Sequence, residues 1–126
     1  ENDRSLVLKF SYKEASFLLP ADISERVERA LVKKGARLKS SVLLAPHHGS
    51  RFSNSLTFIR NVSPQAVVFS CGPDIHRKLP NPLVLERYRK SGSRIFRTDR
   101  DGAVTFATDG KELAWSTFIR EGERVR

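Results

Sequence analysis

Apolar and polar residues alternate at the start of the chain. The apolar positions in this stretch are Leu6, Leu8, Phe10 and Tyr12. A period of two is typical of a strand with one buried face. A second apolar run follows the polar pair Lys13-Glu14 and ends before Pro20. Residues 5–19 are therefore predicted to form a β-hairpin with a tight connection.

The next apolar residues recur three or four positions apart, which is helical spacing. They are Ile23, Val27, Ala30 and Leu31. Asp22 occupies the predicted N-cap position, Glu25 lies three residues later, and Gly35 follows the last turn. These are the signals of a helix start and a helix end. They predict a helix between residues 22 and 34.

Strand and helix patterns then alternate through the middle of the chain. Short apolar runs at residues 41–45 and 66–69 predict buried strands. The strand at residues 41–45 precedes a helix predicted at residues 53–61, with Ser53 as its cap. The strand at residues 66–69 precedes a second predicted helix, which begins at Asn81 and Pro82 and ends before Gly92.

The C-terminal part of the chain reads as further strands. They are predicted at residues 94–97, 103–107 and 113–119, joined as hairpins by turns at residues 99–102 and 108–111. A charged tail follows at residues 120–126. The order β-β-α-β-α-β-α-β-β-β predicts an α/β fold with a mixed β-sheet and helices packed on it.

Length and composition place limits on the class of protein. The 126 residues suit one domain, and 39% apolar with 29% charged residues is the profile of a folded globular chain. The longest apolar runs are far shorter than the roughly 20 residues that cross a bilayer. A single cysteine, Cys71, forms no internal disulfide.

The chain is strongly basic. It has 23 Lys and Arg residues against 14 Asp and Glu residues, which gives a net charge of +9. A polyanion is a reasonable partner for a chain with this charge. The alternative is that the charge serves solubility or faces an acidic domain or a membrane surface.

Three side chains follow predicted strands at positions where they could converge on a ligand. His47 and His48 come after strand 41–45 and before Gly49, and imidazole is the commonest metal ligand. Adjacent loop histidines also serve as surface or capping groups. Asp22 follows the strand of the first hairpin, so parallel neighbours would place it at the same sheet edge; its alternative role is to cap the first helix.

Several segments together resemble one protein family. Residues 2–8, 17–23, 42–50, 81–87 and 97–104 read NDRSLVL, FLLPADI, VLLAPHHGS, NPLVLER and RTDRDGAV. This series resembles the C-terminal half of the metallo-β-lactamase-like domain of ComEC-type competence proteins, and the resemblance covers nearly the whole chain. It implies half of an αββα sandwich, a mixed β-sheet with helices on one face, as a fragment of a longer chain.

The resemblance also implies a function. Residues 1–126 would be one soluble domain, the C-terminal part of the sandwich, in a polytopic inner-membrane protein of bacteria that takes up DNA. The intact domain would hydrolyse phosphodiester bonds as a metal-dependent nuclease. Its expected partners are DNA and the remainder of the same membrane protein.

Site residues carry over from the family by position. Asp22 matches an aspartate that bridges two divalent metals, zinc or manganese, and one of His47 and His48 matches a terminal ligand. Asp22 and His48 are accordingly the catalytic candidates. A two-metal centre would activate a water molecule for attack on the phosphodiester.

Three departures from the family pattern concern the same site. The usual TGD motif reads Pro20-Ala21-Asp22, the usual HPHP motif reads Leu79-Pro80-Asn81-Pro82, and the HxHxDH cluster is not in this sequence. His76 is a candidate replacement for the late histidine. Asp22 with one or two histidines falls short of the ligands that a two-metal catalytic centre needs, so the fragment alone is expected to be inactive and to bind no metal.

Basic residues late in the chain suggest a path for a phosphate backbone. The nucleic-acid-binding candidates are Ser50, Arg87, Arg89, Lys90 and Arg97. The alternative is that the arginines and the lysine compensate a helix dipole on a solvated face. A catalytically decayed domain that only binds DNA or serves as a scaffold is the second functional interpretation. Without its other half, the fragment is also expected to expose an apolar sheet face and to form a homodimer through it.

Overall fold

A computed structural model of the chain describes residues 2–73, 76 and 78–119. In this part of the chain there are seven strands: β1 (Leu8–Tyr12), β2 (Ala15–Leu19), β3 (Val42–Leu44), β4 (Ala66–Phe69), β5 (Arg94–Arg97), β6 (Val104–Thr108) and β7 (Leu113–Thr117). The α-helices are α1 (Glu25–Lys33), α2 (Leu56–Val62), α3 (Pro82–Lys90) and the single turn α4 (Thr98–Asp101). Short 3₁₀ helices lie at Asn2–Arg4 and Pro46–Gly49. The predicted tail at residues 120–126 is outside the described residues.

Five strands form one mixed sheet in the order β1-β2-β3-β4-β5. The pair β1 and β2 is antiparallel, and β2, β3, β4 and β5 are parallel. One row of residues crosses the parallel strands in register: Leu18, Leu43, Val67 and Ile95. The predicted α/β fold with a mixed sheet is therefore confirmed.

The three longer helices cover one face of this sheet. Leu18, Leu43 and Val67 on the sheet belong to a single buried cluster with apolar residues of the helices. The buried helix residues in the cluster are Phe58, Ile59, Val62, Val84, Leu85 and Tyr88. Full burial of such a side chain contributes about 1.5–3 kcal/mol, so this face holds the core of the fold.

The hairpin β6–β7 packs on the opposite face. The Phe106 ring contacts the rings of Phe17 and Phe96 edge to face, and the Trp115 ring contacts Phe96 in the same way. At the β1 end of this face, Phe10 stacks on Phe17 with 4.9 Å between ring centroids and is still 48% exposed. Part of the predicted apolar face is thus open to solvent, and association through it remains a prediction.

The turn at residues 99–102 differs from its prediction. It forms helix α4 instead of a hairpin turn, and β6 pairs with β7 in a separate two-stranded sheet. The Asp101 carboxylate accepts a hydrogen bond from the Arg97 amide at 2.8 Å, and the Gly102 amide donates to the Thr98 carbonyl at 3.1 Å. These bonds turn the chain away from β5. The predicted hairpin between strands 94–97 and 103–107 is wrong.

Helix α1 begins later than predicted. Its N-cap is Ser24, so the prediction that Asp22 caps the helix is wrong. Ala21 has a φ of 55°, which turns the chain directly after β2. The Glu25 amide then donates to the Phe52 carbonyl at 3.0 Å, which sets the first residue of the helix. Asp22 is consequently left on the edge of the sheet.

The caps of the other helices follow their predictions in part. Asn81 caps α3 by accepting a hydrogen bond from the Leu83 amide at 2.9 Å, as predicted. Helix α2 is capped by Ser55, whose hydroxyl accepts from the Phe58 amide at 3.3 Å. The Ser53 hydroxyl instead donates to the Ile23 carbonyl at 2.6 Å. The prediction of Ser53 as a cap is wrong because this contact holds its side chain.

None of the helices in the described ranges has the length and hydrophobicity to cross a bilayer.

Candidate functional site

The carboxyl ends of the four parallel strands meet at one edge of the sheet, here called the rim. Strands β2, β3, β4 and β5 end at Leu19, Leu44, Phe69 and Arg97. Polar side chains follow each of these ends within four residues: Asp22, His48, Cys71 and Asp99. Loops at this edge of a parallel sheet are where ligands bind in α/β folds.

Asp22 and His48 face each other across the rim. The distance from His48 Nε2 to Asp22 Oδ1 is 3.7 Å, and both side chains are nearly half exposed. His48 Nδ1 lies 2.7 Å from the Ser70 carbonyl oxygen. Because a carbonyl only accepts, Nδ1 carries a proton, and Nε2 is the ring nitrogen that faces the Asp22 carboxylate. Metal-binding histidines are oriented in this way.

The loop that carries the histidines has an unusual backbone. His47 and His48 have φ values of 48° and 54°, a left-handed conformation that costs a non-glycine residue about 1–2 kcal/mol. The His47 amide donates to the Ala21 carbonyl at 3.1 Å, and the Ser50 amide donates to the His47 carbonyl at 2.9 Å. The first bond connects the loop to the segment that bears Asp22, and the second lies within the loop.

Gly49 places this loop against the segment before α3. Its φ is 84°, and a Cβ atom there would lie 2.6 Å from Pro80 Cβ and 2.7 Å from Phe69 Cδ1. The Gly49 carbonyl accepts a hydrogen bond from the Asn81 amide at 3.0 Å. Only glycine fits this contact, so the backbone behind the histidines is tightly packed.

A buried asparagine joins the two ends of the histidine loop. Asn54 Nδ2 donates to the carbonyls of Pro46 and Ser50 at 3.0 and 3.1 Å. Asn54 Oδ1 accepts from the Tyr88 hydroxyl at 2.8 Å, and the Asn54 carbonyl accepts from Arg87 Nη1 at 3.0 Å. Every polar atom of the amide has a partner, and the network fixes the loop from beneath.

Glu28 completes this network from helix α1. The residue is fully buried, and its two carboxylate oxygens accept from the amides of Asn54 at 2.6 Å and Ser55 at 2.9 Å. Burial raises the pKa of Glu28, and the hydrogen bonds from Ser55 and Asn54 oppose that rise. Burial, with a smaller contribution from Glu28, also raises the pKa of Tyr88 well above its usual value.

A second polar cluster lies at the β5 end of the rim. Arg97 Nε and Nη2 donate to the two carboxylate oxygens of Asp99 at 3.0 and 2.7 Å, and Cys71 Sγ donates to Asp99 Oδ1 at 3.3 Å. The Arg97 hydrogen bonds lower the pKa of Asp99. Burial, together with the hydrogen bond to Asp99, raises the pKa of the Cys71 thiol. A groove of about 480 Å³ borders the Arg97–Asp99 pair.

The structure distributes the predicted nucleic-acid contacts over two edges of the sheet. Ser50 is buried near the rim, and its hydroxyl accepts from the Phe52 amide at 3.2 Å. Arg89, which pairs with Glu86 at 3.6 Å, and Lys90 are exposed at the far end of α3. At 1.5 Å per residue that end is about 12 Å from the Asn81 end. Helix α3 thus carries these two side chains away from Asp22 and His48.

The other two basic candidates already make contacts within the chain. One guanidinium nitrogen of Arg87 donates to the Asn54 carbonyl, and Arg97 is paired with Asp99. Their binding to nucleic acid stays a prediction. His76 is exposed on the loop after β4.

The donor atoms at the rim have the right chemistry for a divalent metal but are too few. Asp22 and His48 supply one carboxylate and one imidazole, whereas a catalytic zinc takes three protein ligands and a water. Within residues 2–73, 76 and 78–119, no group of three or more His, Cys, Asp and Glu side chains is arranged to hold a metal ion. The described residues by themselves therefore supply fewer ligands than the two-metal centre that the resemblance implies, and metal binding stays a prediction.

Sequence reasoning missed the residues that support the loop. Glu28 had a usable signal, because it lies three and four positions before Leu31 and Val32, on the buried side of α1. A charged residue on an apolar helix face requires a buried partner. Asn54 had no comparable signal, because its partners Glu28 and Tyr88 lie on other helices, 26 and 34 positions away in the chain.

No family model matches the chain. It is similar to Competence protein ComA of Neisseria gonorrhoeae, with 38% identity over 107 residues, which are 84% of this chain and 16% of that protein. It is also similar to ComE operon protein 3 of Bacillus subtilis (strain 168), with 28% identity over 118 residues, 94% of this chain and 15% of that protein. A third relative, the uncharacterized protein YcaI of Escherichia coli (strain K12), is 30% identical over 116 residues, 90% of this chain and 15% of that protein. The chain thus spans about a sixth of the length of these curated relatives.

Proposed function

We propose that this chain, which is similar over most of its length to one segment of competence proteins, is the C-terminal part of a metallo-β-lactamase-like domain in a DNA-uptake protein. That protein would lie in the bacterial inner membrane, with this part in a soluble domain. The names of the two competence proteins support a competence-related role. The sheet with helices on one face and a half-covered opposite face is compatible with one half of a sandwich.

The facing pair of Asp22 and His48 carries the functional proposal. The two side chains come from neighbouring parallel strands, and the Nδ1–Ser70 hydrogen bond points Nε2 of His48 toward the carboxylate. In the complete domain this edge would contribute ligands for two divalent metals, zinc or manganese, and would act in phosphodiester hydrolysis. The missing ligands would come from another part of the protein, and His47 remains a second candidate on the same loop.

A binding role without hydrolysis is the second candidate function. It is favoured by Asn81, whose side chain accepts from the Leu83 amide and so caps α3 at a position where the family has a histidine. The net charge of +9 would then serve to hold DNA. DNA and the remainder of the uptake protein are the partners under either proposal.

Cleavage of linear DNA by the full-length protein separates the two functions. The assay compares the wild type with Asp22→Ala and His48→Ala in the presence of manganese or zinc. We expect cleavage by the wild type and its loss in both variants, while the control Glu112→Ala, at an exposed carboxylate in the turn between β6 and β7, retains it. Full cleavage by both variants would show that the catalytic assignment is wrong. DNA binding by the wild type without cleavage would support the second function.

A further inference from the structure

An aromatic side chain stands exposed beside the rim on a backbone that is firmly held. Phe52 is 66% exposed, yet its amide donates to the Ser50 hydroxyl at 3.2 Å and its carbonyl accepts from the Glu25 amide at 3.0 Å. Burying a phenylalanine would contribute about 1.5–3 kcal/mol, and here that contribution is largely absent. The backbone of Phe52 is therefore held in position, while its ring is left without a full apolar environment.

Arg51 accompanies this ring. Its guanidinium carbon lies 4.9 Å from the centroid of the Phe52 ring, within the range of a cation–π contact. Arg51 is itself exposed, so the pair presents a positive charge and an aromatic surface together. An arginine next to an exposed ring is the combination with which proteins hold single-stranded nucleic acid, because the ring stacks on a base and the cation meets the backbone.

The pair is attached to the same two segments as Asp22 and His48. Segments 21–25 and 47–53 are joined by three hydrogen bonds: His47 amide to Ala21 carbonyl, Ser53 hydroxyl to Ile23 carbonyl, and Glu25 amide to Phe52 carbonyl. Glu25 is three positions after Asp22, so the backbone of Phe52 lies within about 15 Å of that of Asp22. At about 3.4 Å per stacked nucleotide, this spacing is a few nucleotides.

We propose that Phe52 and Arg51 form a stacking platform for the bases of single-stranded DNA next to the rim. The proposal rests on the proposed function, because the platform would hold the bases of the DNA whose backbone lies at the Asp22–His48 edge. A single exposed aromatic residue needs no explanation by itself. Three observations favour a base over a lipid surface as the occupant. They are the fixed backbone of Phe52, the neighbouring Arg51, and the attachment of both residues to the rim segments.

The chain offers a matched control at the opposite edge of the sheet. Tyr12 is 52% exposed, and the Lys13 ammonium lies 5.3 Å from its ring centroid. This pair flanks the β1–β2 turn, away from the carboxyl ends of the parallel strands. Tyr12→Ala therefore removes an exposed aromatic ring with a neighbouring cation but leaves the platform intact.

The test is binding of a labelled oligothymidine of about twelve nucleotides by the full chain, measured by fluorescence anisotropy. Phe52→Ala should weaken binding by roughly five-fold to a hundred-fold, the range found for loss of one stacked base. Phe52→Trp should retain binding, and Tyr12→Ala should not change it. On an abasic strand with the same backbone, Phe52→Ala should have no effect. Arg51→Gln should reduce the slope of log K against log salt by about 0.7.

The possible failures point to different conclusions. Equal binding of oligothymidine by the wild type and Phe52→Ala overturns the platform but leaves the proposed function standing. If the wild type binds neither strand, the platform and the DNA-related function are both overturned. If Phe52→Ala loses binding to phosphatidylserine vesicles but not to oligothymidine, the occupant is a lipid surface and the platform is overturned. If Asp22→Ala and His48→Ala leave cleavage intact while Phe52→Ala weakens binding, the hydrolytic assignment fails and the platform stands.

Discussion

The hydroxyl of Tyr88 donates a hydrogen bond to Asn54 Oδ1 at 2.8 Å inside the core. Both residues are fully buried, so water cannot replace either partner. Through this bond helix α3 holds the asparagine that joins the two ends of the histidine loop. The position of His48 on the rim therefore depends on a side chain that is 40 positions later in the chain.

Tyr88→Phe tests this bond. The substitution leaves Asn54 Oδ1 buried without its partner, which should lower the free energy of unfolding by about 1–3 kcal/mol. Urea denaturation measures the change. Tyr12→Phe is the control, because the Tyr12 side chain is about half exposed, and it should change stability by less than about 0.5 kcal/mol. Equal effects of the two substitutions would contradict the role of the bond.

Gly49→Ala should be far more destabilising than Gly92→Ala. The two glycines have nearly the same φ, 84° and 82°, but a Cβ at Gly92 meets nothing within 4 Å. Gly92→Ala should therefore cost about 1 kcal/mol for the left-handed backbone, and Gly49→Ala at least about 2 kcal/mol more for the clash with Pro80 and Phe69. Thermal and urea unfolding of both variants give the comparison. Similar losses would show that the packing behind the histidines is loose.

Glu28→Gln should change the pH dependence of stability. Because burial raises the pKa of Glu28 above its unfolded value of 4.5, the folded state holds the proton more tightly. The stability that Glu28 contributes is then full below the unfolded pKa and falls as the pH rises through the folded pKa. The difference in unfolding free energy between wild type and variant should accordingly decrease as the pH rises above about 4.5.

Urea denaturation of both proteins across this pH range provides the measurement. Glu25→Gln serves as the control, because the Glu25 side chain is 41% exposed in its pair with Arg29, and its difference curve should be nearly flat. A flat curve for Glu28→Gln as well would mean that burial does not govern this carboxyl group.

Asp99→Asn should destabilise the chain at neutral pH but not in acid. The Arg97 hydrogen bonds lower the pKa of Asp99 below its usual 3.8. The stability they contribute is present above that value and is lost as the pH falls through the lowered folded pKa. The loss in the variant should be about 1–3 kcal/mol at neutral pH, as for hydrogen bonds to charged groups.

Unfolding experiments at neutral pH and well below pH 3.8 test this expectation. Glu86→Gln is the comparison, because the Glu86 and Arg89 side chains are 51% and 61% exposed. Exposed pairs contribute about 0–1 kcal/mol. A loss from Asp99→Asn that persists unchanged in acid would assign the effect to packing and not to charge.

The elements of the sheet and helices were predictable because their signals are local. The period of two at residues 6–12 and the Asn81-Pro82 start of α3 depend only on neighbours in the sequence. Asp22 and His48 were predictable as rim residues for a related reason: each follows a strand, and parallel strands end at one edge. Their separation of 3.7 Å was not predictable, because it depends on the left-handed turns at Ala21 and His47.

The remaining features depend on contacts that the local sequence does not contain. The turn at residues 99–102 has the composition of a hairpin turn, but the hydrogen bond that the Arg97 amide donates to the Asp101 carboxylate makes it helical. The apolar face of α1 indicates that Glu28 is buried but does not identify its partners, and Asn54 lies where a local pattern indicates only a loop or the start of a helix. Their roles arise only when α1, α2 and α3 pack over the sheet, so they become visible in the structure alone.

The order of strands in the larger sheet is also their order along the chain. Each strand pairs with its immediate predecessor, so a growing polypeptide can extend the sheet from one side as it leaves the ribosome. Asp22 and His48 can meet once β3 has paired with β2. Tyr88, which holds Asn54 in place, is synthesised some forty residues later. During translation both rim residues are therefore synthesised before α3, and the hydrogen bond from Tyr88 that holds the His48 loop can form only after α3 has been made.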